Sequence, residues 1–353
     1  MNLLESIRDG EWLSRQQFPP LRYAVPGIVP EGLTVLAGAP KVGKSWLVLD
    51  WLLAVAADGG TALGGIPVPG ARDVLYMALE DGDRRMQSRC RTLLANDYRP
   101  ADPIPPRFQY LTVMTPNLLI ATIAAWLEAY QDGLVVVDTL GRALPPALLG
   151  EAPYSRDYRI MSELKAIADA WPGSSLLMNH HDRKAASPDF VDSVSGTNGI
   201  AGGADTVLAL TRDRNESGGL LQVTGRDVSE GAYALTFHAG IWRLDGGSLA
   251  TAAKAAATRR AEMGLGDRSR EILEAVSASD VPLSPSSVAG LVGLDNDTAG
   301  RYLRRLVEAG RLAKADRGLY TPLSEASECP NDDSEIRTPD TSDSPLWEHG
   351  DGQ

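Results

Sequence analysis

The octapeptide GAPKVGKS, residues 38–45, restricts the fold more than any other stretch of this 353-residue chain. It fits the spacing G-x-x-x-x-G-K-[ST], in which glycines let the backbone curl until its N–H groups face phosphate oxygens. The β-rich run LTVLAG (33–38) precedes it and the helical run KSWLVLDWLLAVAADGG follows. Strand, glycine loop and helix in that order are the context the motif requires. Gly38, Ala39, Pro40, Lys41, Val42, Gly43, Lys44, Ser45 and Trp46 are therefore the expected nucleotide-binding residues, with ATP and Mg²⁺ as cofactors. Lys44 is expected to reach the β- and γ-phosphates and Ser45 to ligate Mg²⁺.

Around this loop the sequence alternates β and α. DVLYMALE (73–80), FQYLTV, GLVVVD (133–138) and SSLLMN read as buried strands, separated by the helical runs DRRMQSRCRTLLAND, LLIATIAAWLEAY and RDYRIMSELKAIADAW. Apolar strands joined by helices imply an α/β fold with a mainly parallel sheet covered on both faces. After residue 205 the runs TVLALTR, GGLLQVTGRD and AYALTFHAGIWRL alternate like antiparallel strands that extend its edge.

The organisation this predicts is an N-terminal arm (1–30), an α/β core (31–246), an Ala-rich helical linker without an apolar face (247–266), a small second domain (267–322) and an acidic, disordered tail (323–353). Residues 324–353 hold nine acidic groups against Arg337 alone, so most of the net charge of −12 belongs there and does not exclude a DNA partner. No run approaches the ~18 apolar residues of a membrane helix, and the start MNLLESIRDGEW is not signal-like. Cys90 and Cys329 cannot make a disulfide framework, and the expectation is a soluble cytoplasmic protein with no membrane partner.

Two strand ends carry carboxylates. Asp138 closes an apolar strand, where it is placed to hold the hydration shell of Mg²⁺. Glu80 and Asp81 close another, where a carboxylate is placed to orient and deprotonate a water. The stretch SSLLMNHHDRKAA adds His180 and His181, two of the four histidines in the chain. Adjacent strand residues point to opposite faces, so the pair does not readily chelate one metal, and too few other ligands lie nearby for a zinc centre.

Residues 31–245 resemble the RecA-like ATPase core of hexameric replicative helicases, especially the plasmid RepA type. The resemblance rests on EGLTVLAGAPKVGKSWL, VLYMALED, LVVVDTL, LLMNHHDRK, SGTNGIAGGADTVLAL and LLQVTGRDVSEGAYALTF, in that order. It implies that Glu80 is the catalytic glutamate, Asp138 the Mg²⁺-associated aspartate acting through water, and His180 the reader of the γ-phosphate, with His181 in support. Arg226 matches the arginine such rings project into a neighbour's ATP site, and Arg212 is the substitute. Single-stranded or forked DNA is the implied partner, with a possible primase or initiator protein. Two loops are candidates to meet DNA: 141–159, with Arg142, Arg156, Arg159, Tyr154 and Tyr158, and 182–199, with Arg183, Lys184 and Phe190.

Residues 267–322 resemble a winged helix. DNDTAGRYLRRLVEAG is expected to be capped by Asn296 or Asp297, to bury Tyr302, Leu303, Leu306 and Val307, and to turn Arg301, Arg304 and Arg305 outward, with Lys314 and Arg317 on the hairpin that follows. The expected function is an ATP-dependent DNA helicase or translocase acting as a ring in replication of a phage or mobile element. The alternative is an ATPase of the same fold that acts in recombination, or as a DNA-binding regulator, without unwinding.

Overall fold

The computed structural model describes residues 7–96, 103–181, 199–212, 216–263, 267–279, 281–308 and 310–323. The chain divides into two compact units, Met1–Ala261 and Glu262–Gln353.

The first unit opens with helix α1 (Gly10–Arg15) and the ribbon β1 (Tyr23–Val25) and β2 (Val29–Pro30). Strand β3 (Gly32–Gly38) then runs into the phosphate loop and helix α2 (Lys44–Ala56). A short ribbon, β4 (Thr61–Ala62) with β5 (Ile66–Pro67), leads to β6 (Val74–Ala78), α3 (Asp83–Asn96), β7 (Phe108–Leu111), α4 (Leu119–Ala129) and β8 (Leu134–Asp138). After α5 (Leu140–Ala143) and α6 (Pro153–Ala170) come β9 (Ser175–His181), α7 (Gly199–Gly202) and β10 (Thr206–Arg212). The strands β11 (Gly218–Gly225), β12 (Gly231–His238) and β13 (Ile241–Leu244) and helix α8 (Leu249–Met263) complete the unit.

Nine strands form the main sheet in the order β13-β12-β11-β10-β3-β9-β8-β6-β7. From β10 to β7 all neighbours are parallel, and β11 to β13 are antiparallel additions. This is the largely parallel α/β sheet expected of a RecA-like P-loop ATPase. The phosphate loop leaves the carboxyl end of β3, which lies between β9 and β10.

Strand alternation sorts the core into two layers. Leu36, Tyr76, Val136 and Leu177 face α2 and α3, while Leu33, Val35, Leu75, Met77, Val137 and Met178 face α4 and α6. Helix α2 lacks a polar face, because Leu47, Leu49, Trp51, Leu52 and Val55 are all buried. Such a helix must be covered on every side. The sheet covers one side of it, and β1, β4 and α3 pack against others.

Two expected boundaries move. The arm was to end at residue 30, but Ala24, Val25, Ile28 and Val29 are already part of the core. The expected linker is instead docked from α8 onto the sheet. Ala252 and Ala256 stand four apart on one side of the helix, and Ala256 meets Leu220 and Ala234. Alanines carry too little side chain to register as an apolar stripe, yet their small size lets the helix lie close to the strands. Arg259 then ties it down, donating to the carbonyls of Gly219 (2.8 Å) and Leu235 (2.7 Å) and to Asp245 Oδ2 (2.6 Å).

The second unit contains α9 (Asp267–Ser277), α10 (Pro285–Val292), α11 (Asn296–Glu308) and the hairpin β14 (Leu312–Asp316) and β15 (Leu319–Pro322). Ile272, Val276, Val288, Leu303, Leu306, Leu312 and Tyr320 form its own core. Asp295 caps α11 by accepting the N–H of Thr298 at 2.8 Å, one residue ahead of the expected Asn296 or Asp297. That bond holds the Asp295 carboxyl below its usual range. Arg301, Arg304 and Arg305 are exposed, as the periodicity of the helix requires.

The docked helix generates a first prediction. Hydrogen bonds to a charged group contribute about 1.5–3 kcal/mol. Arg259→Ala should therefore lower the stability of the first unit by about that amount in urea unfolding, and a change below about 0.5 kcal/mol would show α8 to be loosely attached.

Candidate active site

The phosphate loop is shaped by close approaches. At Gly43 φ is +112°, and an added Cβ would lie 3.0 Å from the Trp242 indole. At Gly38 a Cβ would lie 2.5 Å from the carbonyl oxygen of Leu210. Donors engage the carbonyls of the loop from several directions. Trp242 Nε1 donates to Gly43 O (3.0 Å), Arg212 Nε to Val42 O (3.2 Å), and Lys44 Nζ to Gly38 O (2.6 Å) and Ala39 O (3.1 Å). A loop whose carbonyls are engaged in this way presents N–H groups to an anion. Trp46, just inside α2, packs against Gly240 of the β12–β13 turn and lies under the Arg89 guanidinium at 5.1 Å.

Lys44 is only 4% exposed. Its ammonium also lies 3.2 Å from His181 Nδ1, and neither that nitrogen nor the two carbonyls carries a negative charge. These contacts hold the ammonium beside a loop whose N–H groups are available to an anion.

The carboxylates lie on neighbouring strand ends. Ser45, Glu80, Asp81 and Asp138 line one small cleft of about 90 Å³ together with Arg85 and Arg89. Glu80 accepts a hydrogen bond from Thr139 Oγ1 at 3.0 Å and lies 3.9 Å from Arg142 Nε. Asp81 is locked by Arg85 (3.1 Å) and Arg89 (2.5 Å) of α3. Of the two adjacent carboxylates, Glu80 is thus the one placed to act on a water. Asp138 is buried and accepts from Tyr76 Oη at 2.6 Å and Asn179 Nδ2 at 2.6 Å. The cleft suits Mg²⁺, which takes hard oxygen ligands and is commonly held by one or two carboxylates plus substrate phosphates. Ser45 Oγ and the Asp138 carboxylate are the oxygens that would hold it, and when bound with nucleotide it neutralises charge on the β- and γ-phosphates.

The structure places the two histidines differently. Asp138 is in register with Asn179, and Ala37 with His180. Alternation places Asn179 and His181 on the α2 face, with Tyr76 and Asp138, and sends His180 to the other face with Met178. The histidine that meets the phosphate loop is therefore His181, not His180, the expected reader of the γ-phosphate. Because Lys44 donates to Nδ1, the ring hydrogen of neutral His181 sits on Nε2, which lies 3.9 Å from Glu80 Oε1. Burial, and then the Lys44 charge, lower the pKa of His181, against the opposing pull of Glu80 and Asp138.

The arginines separate into distinct settings. Arg212, the substitute trans-acting arginine, holds its own chain's Val42 and lies over Phe237 at 4.5 Å. Arg226 follows β11, whose last residue Gly225 pairs with Thr206, the first residue of β10. It therefore stands roughly 20 Å along the strands from the phosphate-loop edge, at ~3.3 Å per residue, and lies 3.5 Å from Asp205. The expected loop 141–159 is mostly helical, since α5 takes Leu140–Ala143 and α6 starts at Pro153, a residue suited to a first helical turn. Arg156 pairs with Asp157 at 2.7 Å and Arg159 with Glu151 at 2.9 Å, so both charges are matched within the chain. Arg142 remains exposed, and Tyr154 and Tyr158 form an exposed stacked pair with centroids 6.2 Å apart. Arg183, Lys184 and Phe190 lie outside the described residues.

Sequence reasoning passed over Tyr76, Thr139, Asn179 and Trp242. Asn179 and Tyr76 did carry a signal: each is a polar group inside a strand that is otherwise apolar. Among the described residues no helix is long and apolar enough to cross a membrane.

Residues 5–187 match a protein family described as "AAA domain". No curated protein matches the chain. Among solved structures, the crystal structure of the RadB recombinase is similar at 15% identity, covering 62% of this chain and 92% of that one, with a TM-score of 0.43.

The His181 environment generates a second prediction. Its imidazole should titrate below 6.5 in histidine NMR spectra, and Lys44→Ala should move the midpoint upward by removing the adjacent charge. A pKa depressed in the folded state stabilises the fold above the unfolded value and loses that contribution as pH falls through the folded value. His181→Gln should accordingly flatten the loss of stability that begins below pH 6.5, and an unchanged pH profile would contradict the half-buried placement beside Lys44.

Proposed function

The chain belongs to the AAA-domain family and carries a RecA-like P-loop ATPase fold, and from that premise we propose that it is an ATP-driven DNA helicase or translocase working as a ring, most simply a hexamer, in replication of a phage or mobile element. The observation that carries this reading is the contact between Lys44 and His181 at the end of β9. His181 stands immediately before the segment 182–199, which contains Arg183 and Lys184. A change at the γ-phosphate that moves Lys44 also changes the hydrogen bond of His181, and so reaches the segment that carries Arg183 and Lys184 through the chain itself.

In this reading Lys44 meets the β- and γ-phosphates, Ser45 and Asp138 serve Mg²⁺, and Glu80 takes a proton from the attacking water. The position of Arg226, far from its own phosphate loop, suits a role in a neighbour's site, where an arginine stabilises charge on the transferred phosphoryl group. Arg142 with Tyr154 and Tyr158 offers charge and stacking surface to single-stranded DNA, and Arg183 and Lys184 are assigned to the same strand. Arg156 is a weaker contact than the sequence implied, since Asp157 already occupies it. The second unit, three helices and a hairpin, is read as a winged helix that presents Arg301, Arg304 and Arg305 to duplex phosphates or bases. A primase or initiator is the protein partner that fits such a role.

Steady-state hydrolysis with and without single-stranded DNA tests the proposal. DNA should accelerate turnover, Lys44→Ala should abolish it, and Glu80→Gln should lower kcat by about 10²–10⁴-fold while nucleotide still binds. Turnover that ignores DNA would refute the helicase reading. DNA-stimulated turnover that leaves a forked duplex closed would favour the recombination-type ATPase.

A further inference from the structure

The strands β6, β8 and β9 lie side by side, with Ala78, Asp138 and Asn179 in one row of the register. On the α2 face of this row stands a three-residue polar network inside an apolar layer. Tyr76 is wholly buried and its hydroxyl donates to Asp138 Oδ2 at 2.6 Å. Asn179 is also wholly buried, and its amide donates to Oδ1 at 2.6 Å. A carboxylate can only accept, so the Asn179 amide must turn Nδ2 toward it. The Asn179 oxygen has no hydrogen-bond partner among the described residues. An asparagine in the middle of a parallel sheet is costly to bury, and a half-satisfied amide more so. Packing alone gives no reason for either polar group, since phenylalanine or leucine would fill the same space.

We propose that Tyr76 and Asn179 are positioning residues, a two-sided clamp that fixes the plane of the Asp138 carboxylate for Mg²⁺ bound with nucleotide. The proposal rests on the ATPase reading of the cleft. Each carboxylate oxygen keeps a lone pair beyond the one the clamp takes, and Ser45 lines the same small cleft as Asp138. Held from two neighbouring strands, the carboxylate cannot rotate without breaking a short hydrogen bond. The carboxylate of Asp138 can only accept, so the Tyr76 hydroxyl is the donor of that pair. Groups that orient a metal-facing carboxylate typically alter metal affinity by about 10–100-fold when removed.

Mn²⁺ provides the readout. In the full chain with a non-hydrolysable ATP analogue, the Kd for Mn²⁺ is measured by electron paramagnetic resonance, and the affinity of the analogue alone is measured in EDTA. Tyr76→Phe should weaken Mn²⁺ binding by about 10-fold and raise the Mg²⁺ concentration for half-maximal hydrolysis in proportion. Metal-free analogue affinity and circular dichroism should not change. Asn179→Leu, which keeps the volume, should shift Mn²⁺ affinity in the same direction, whereas the exposed Tyr110→Phe should not. Unchanged Mn²⁺ affinity in both folded clamp variants overturns the proposal. So does a loss of analogue affinity that is equal with and without metal, because that is the mark of a merely structural role. If the unsubstituted chain binds no analogue at all, the ATPase reading fails first and the clamp with it, and that outcome is visible before any variant is made.

Discussion

A lysine that is only 4% exposed is the constraint around which the first unit is arranged. Burying a full charge is tolerated only if acceptors surround it, and Lys44 finds the carbonyls of Gly38 and Ala39 and the Nδ1 of His181. Those acceptors come from the loop itself and from the end of β9, so the ammonium fixes the loop against a neighbouring strand. Strands β13 and β10 hold the other side, through Trp242 on Gly43 and Arg212 on Val42. The antiparallel extension of the sheet is thus part of the nucleotide site and not only an edge cover.

Alternation along the strands decides which residues share that site. Tyr76, Asp138, Asn179 and His181 come from three strands and meet because each lies on the face toward α2. A single step of register would exchange His181 for His180 and turn Asp138 into the opposite layer. Position at the strand end supplies the second condition. Only there does the sheet stop and leave room for the loops that carry chemistry, with Glu80 and Thr139 just beyond β6 and β8.

Much of this was legible in the residues. The phosphate loop, the parallel strands and the carboxylates at their ends follow from spacing and apolar runs, and the structure gathers Ser45, Glu80 and Asp138 into one cleft. What the sequence could not provide was facing. The reading that named His180 used strand position without knowing that Asp138 pairs with Asn179 in register. Side-chain partners were equally invisible: Arg156 and Arg159 read as free charge for DNA, but Asp157 and Glu151 hold them. Arg212 was named only as the substitute for Arg226, and its hydrogen bond to Val42 across the sheet was not legible. Helix α8 was misjudged for a different reason, because alanines at 252 and 256 bury little area each and only their spacing shows that they dock.

The central claim is that Lys44, resting on Gly38, Ala39 and His181, is the cation that a nucleotide triphosphate captures. A crystal structure of the full chain with Mg²⁺ and a non-hydrolysable ATP analogue tests it most directly. The account predicts phosphates cradled by residues 38–45, with Lys44 Nζ on a phosphate oxygen and its hydrogen bond to His181 lengthened or lost. A nucleotide bound elsewhere, or a loop filled while Lys44 keeps its contacts to Gly38, Ala39 and His181, would contradict it.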